Sequence, residues 1–82
     1  MVEVTYFVAL PIVATADGMA AGQPMECFQP QAAVLLAEAL ARRDGNVGAV
    51  AFSRTGDLDT GKFEEAKIIM KFGDVPDDLS AL

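Results

Sequence analysis

PQAAVLLAEALARRDGNVGAVAFSRT, residues 30–55, joins a helix-forming half to a strand-forming half and so fixes the fold class. Pro30 suits the first helical position, where its missing N–H costs no hydrogen bond. Good helix formers continue to Arg43, and Gly45 follows where a glycine commonly ends a helix. The sequence therefore predicts a helix over residues 30–43, with one apolar face at i, i+3, i+4 and i+7: Ala33, Leu36, Ala37 and Leu40.

Residues 47–55, the second half of this stretch, predict a strand with two unlike faces. One face is small (Ala49, Ala51 and Ser53), and the other is large (Val50, Phe52 and Arg54). Since small side chains let two backbones approach closely, we expect the helix to pack on the small face.

Apolar residues alternate along residues 2–13, which predicts a second long strand. Pro11 has no N–H, so the strand should meet an edge, a bulge or its end there. Turn chemistry follows over residues 16–24, and residues 25–28 fit a short returning strand.

Residues 63–72 fit both a strand and a helix, and alternation accounts for more of them. The strand interpretation points Ala66, Ile68, Met70 and Phe72 inward and leaves Ile69 as the exception. The last segment, residues 73–82, is predicted to be an extended tail, with Val75 and Leu79 resting on the body.

The predicted fold is a single α+β domain over residues 1–82. Its sheet is small and mainly antiparallel, with three or four strands in the order β-(β)-α-β-β and one helix on one face. A chain this short buries only about 60–65% of its unfolded surface, yet 52% of its residues are apolar. Leu35 also falls on the polar side of the helix. Both features predict a homodimer.

Charge and cysteine content exclude several classes of protein. The net charge is −6, and the six cations are interleaved with acidic residues, so we expect neither nucleic acid nor an anionic membrane as a partner. No apolar stretch approaches the ~20 residues of a membrane span. Cys27 is the only cysteine, which favours a reducing cytoplasm.

Catalytic chemistry has little support in the sequence. There is no histidine, which removes the commonest general base and metal ligand, so no metal, cofactor or catalytic residue is predicted. The spacing of Asp57, Asp59 and Gly61 departs from a calcium loop, since position 12 is Ile68. Cys27 is either a nucleophile favoured by the nearby helix N-terminus or a small buried hydrophobe.

The most concentrated polar stretch is residues 53–57, and it supplies the binding candidates Ser53, Arg54 and Asp57, to which Cys27 is added. Arg54 could grip a carboxylate or phosphate. The alternative is that it pairs with Asp57 or Asp59 around its own turn.

The patterns GAVAFSRTGD (residues 48–57) and FGDVPDDL (residues 72–79) resemble those of a group of small uncharacterised bacterial proteins. The resemblance extends to the first strand and the alanine-rich helix, and it implies a single-domain bacterial protein without implying any activity. We therefore expect a non-catalytic, self-associating interaction or regulatory module. The alternative is a protein or enzyme that binds an anionic small molecule at a dimer seam around Arg54.

Overall fold

A computed structural model describes residues 2–76 of the chain. The elements are, in chain order, β1 Glu3–Thr15, β2 Gly18–Ala21, β3 Met25–Cys27, α1 Pro30–Ala41, β4 Asn46–Asp57, β5 Lys62–Phe63 and β6 Lys67–Gly73. All the described strand pairs are antiparallel. The predicted α+β class, with a small antiparallel sheet and one helix, is confirmed.

Two long strands, β1 and β4, form the centre of the sheet, with Ala9 opposite Ala51 and Leu10 opposite Val50. β2 and β3 both pair with the outer side of β1, and β5 and β6 both pair with the outer side of β4. The described sheet is four strands wide but contains six strands, where three or four were expected. The number is higher because each outer position is shared by two shorter strands.

Pro11 explains the division beside β1. The segment predicted to be turn and loop contains β2, whose hairpin closes at the Thr15–Gly18 pair. The Gly22 N–H donates to the Pro11 carbonyl over 2.8 Å, so the nitrogen of Pro11 faces the gap between β2 and β3. The proline thus lies inside a central strand, at the point where its missing N–H has no strand opposite it.

The strand predicted over residues 63–72 is divided in the same way. The chain leaves the sheet at residues 64–66, and a register shift follows where β6 passes from opposite Ala51 to opposite Phe52. Met70 lies opposite Ala51, but Ile68 lies opposite Phe52, on the other face of the sheet. The expectation that Ile68 and Met70 share a face is wrong, because the extra residue of the bulge, Ile69, reverses the alternation.

The helix α1 packs on the small face of the sheet, as predicted. β3 and β4 run parallel with β1 between them, so α1 crosses over β1. One buried cluster joins the helix to the central strands: Ala9, Ala33, Ala37, Leu40, Ala49 and Ala51. The helix ends two residues earlier than predicted, at Ala41, and the Asn46 side chain donates to the Leu40 carbonyl over 2.8 Å.

The opposite face of the sheet has its own buried cluster of Leu10, Ile12 and Val50. Val75, from the predicted tail, packs against this cluster. Residue 73, the first residue of the predicted tail, still belongs to the sheet, because Gly73 is the last residue of β6. Leu79 and the rest of residues 77–82 lie outside the described residues.

Candidate functional site

The three polar candidates on β4 do not form one site. Successive side chains of a strand point to opposite faces, so Ser53 and Asp57 lie on the face that carries α1, whereas Arg54 lies on the other. Arg54 is paired with Tyr6 across the sheet, and Ser53 with Phe7. The structure therefore separates the cation from the two groups expected to act with it.

Arg54 is held by residues of the neighbouring strand and loop. Its guanidinium carbon lies 5.4 Å from the centre of the Phe63 ring, and its Nε donates to the Glu64 carbonyl over 3.2 Å. The Phe63 ring stacks on Tyr6 with a centroid separation of 6.1 Å and covers Gly56, where a Cβ would collide with it. Within residues 2–76, no carboxylate forms a salt bridge with Arg54. These contacts favour a structural role for Arg54, in which it binds Phe63 and the Glu64 carbonyl and not the acidic turn around Asp57.

Asp57 shapes the turn that follows β4. Its carboxylate accepts the backbone N–H of Asp59 over 2.8 Å, and its carbonyl accepts the N–H of Gly61 over 2.8 Å. Gly61 has a φ of 72°, which glycine adopts without strain. These are the contacts of a turn-forming aspartate.

Cys27 lies in β3, half-buried against the cluster beneath α1. Its thiol is 3.9 Å from the Met25 carbonyl. Phe7 stands between Cys27 and Ser53 in one row across the sheet, so the two are about 10 Å apart at the backbone. Within residues 2–76, no three His, Cys, Asp or Glu side chains come together to hold a metal ion.

The surface that sequence reasoning missed is an open groove between α1 and β6, here named the α1 groove. It has a volume of about 410 Å³ and is lined by five uncharged residues: Pro30, Gln31, Val34, Leu35 and Ile69. Leu35 remains 67% exposed at its rim. The bulge in β6 brings Ile69 to the side of the sheet where the helix lies, and that is why the alternating pattern left it as an exception.

Phe28 lies in the two-residue link between β3 and α1. It is 94% exposed, more than any other large apolar side chain among residues 2–76. The sequence predicts Phe28 at the end of a short strand over residues 25–28, but β3 ends at Cys27. Phe28 comes two residues before Pro30, which begins the helix. The sequence itself therefore indicated a position between the strand and the helix.

No protein-family model, curated protein or solved structure matches the chain. The helix in the described part of the chain is too short to cross a membrane.

Proposed function

We propose that this protein is a non-catalytic interaction module that associates with a second copy of itself. The observation that carries the proposal is the apolar α1 groove, at whose rim Leu35 is 67% exposed. Phe28, in the link that precedes the helix, adds an aromatic side chain that is 94% exposed. Exposed apolar area costs about 25 cal/mol per Å² relative to burial. Contiguous patches of this kind mark interaction sites.

Electrostatics favour this surface as the place where two acidic chains meet. Each copy carries a net charge of −6, so two copies repel one another overall, and a contact surface without carboxylates avoids adding like charges at short range. The five residues that line the α1 groove are uncharged, and Lys67 starts the adjacent strand β6. The groove is thus a surface that a second acidic copy can approach.

The alternative function, binding or turnover of an anionic small molecule around Arg54, has less support. Arg54 is already bound by Phe63 and the Glu64 carbonyl, and Ser53 and Asp57 lie on the other face of the sheet. The absence of histidine also leaves Cys27 without the usual base. We also propose a cytoplasmic location, supported by the lone thiol of Cys27.

Self-association is tested by measuring molar mass over a dilution series with light scattering and sedimentation equilibrium. The wild-type chain should have twice its 8.6 kDa mass at tens of micromolar protein. Leu35→Lys should shift the protein to monomer, because it places a charge at the rim of the groove. Leu58→Lys is the matched control: Leu58 is 53% exposed but lies in the turn after β4, and its variant should remain dimeric. A wild-type mass of 8.6 kDa throughout would refute the proposal.

A further inference from the structure

We draw no further inference here: the strongest candidate, the open apolar α1 groove between α1 and β6, belongs to the surface already described, and nothing in the structure shows what covers it.

Discussion

Leu40→Ala should remove a large part of the protein's free energy of unfolding. Leu40 is 2% exposed and is the largest of the fully buried side chains in the cluster between α1 and the sheet. Its fully buried neighbours there are alanines, such as Ala9 and Ala51, whose methyl groups cannot swing inward, so only the partly buried side chains around them, such as Phe72, can move toward the space left behind. Leucine-to-alanine substitutions in cores cost about 2–5 kcal/mol, and more where the site cannot collapse. We therefore expect about 3–5 kcal/mol, out of roughly 5–10 kcal/mol for a domain of this size.

The matched control is Leu35→Ala, which makes the same chemical change on the same helix at a residue that is 67% exposed. Helix propensity changes equally in the two variants, so their difference isolates burial. Urea unfolding is followed by circular dichroism at about 1 µM protein and again at tenfold lower concentration, because self-association adds apparent stability. A difference below about 1 kcal/mol between the variants would refute this packing of α1.

Three further predictions concern single contacts. Gly48→Ala should destabilise the fold by about 1–3 kcal/mol in urea unfolding, because the new Cβ would lie 2.7 Å from the Phe72 carbonyl oxygen and collide with the Asp74 carbonyl; an unchanged midpoint would contradict that close approach. Asn46→Ala should cost about 1 kcal/mol in the same assay by removing the donor to the Leu40 carbonyl, and a loss under about 0.3 kcal/mol would show that water replaces it. Cys27, half-buried in the cluster under α1, should react with a thiol reagent slowly in native protein and fast in urea, whereas rapid native labelling would restore a catalytic or redox role.

The parts of the fold that follow from local patterns could be predicted from the sequence. The spacing of Ala33, Ala37 and Leu40 identified the buried face of α1, and all three are buried. Ala49 and Ala51 identified the strand face on which the helix packs. These predictions succeeded because helix period and side-chain size act within one element and its nearest neighbour.

The division of the outer strands could not be predicted, because it depends on which strand lies opposite. Pro11 is tolerated in β1 because its nitrogen faces the gap between β2 and β3, where no N–H is needed. The bulge at Ile69 follows from pairing with β4, and it determines which apolar residues of β6 face the helix.

Which candidate residues lie together could not be predicted, for the same reason. Arg54 and Asp57 are close in sequence, but strand alternation separates their side chains. The α1 groove combines residues of the helix with Ile69, which is more than thirty positions away, so no local motif could reveal it. Two local signs of that surface were present: Leu35 on the polar side of the helix and Ile69 as the exception to the alternating pattern of its strand.

Self-association can be observed directly in an isotope-filtered NOE experiment on an equal mixture of labelled and unlabelled wild-type protein. Only contacts between two copies appear in such a spectrum. Self-association through the α1 groove predicts intermolecular NOEs at the methyl groups of Val34, Leu35 and Ile69, which line it. Intermolecular NOEs confined to Ile68 and Phe63, on the opposite face, or none at all at tens of micromolar protein, would contradict it.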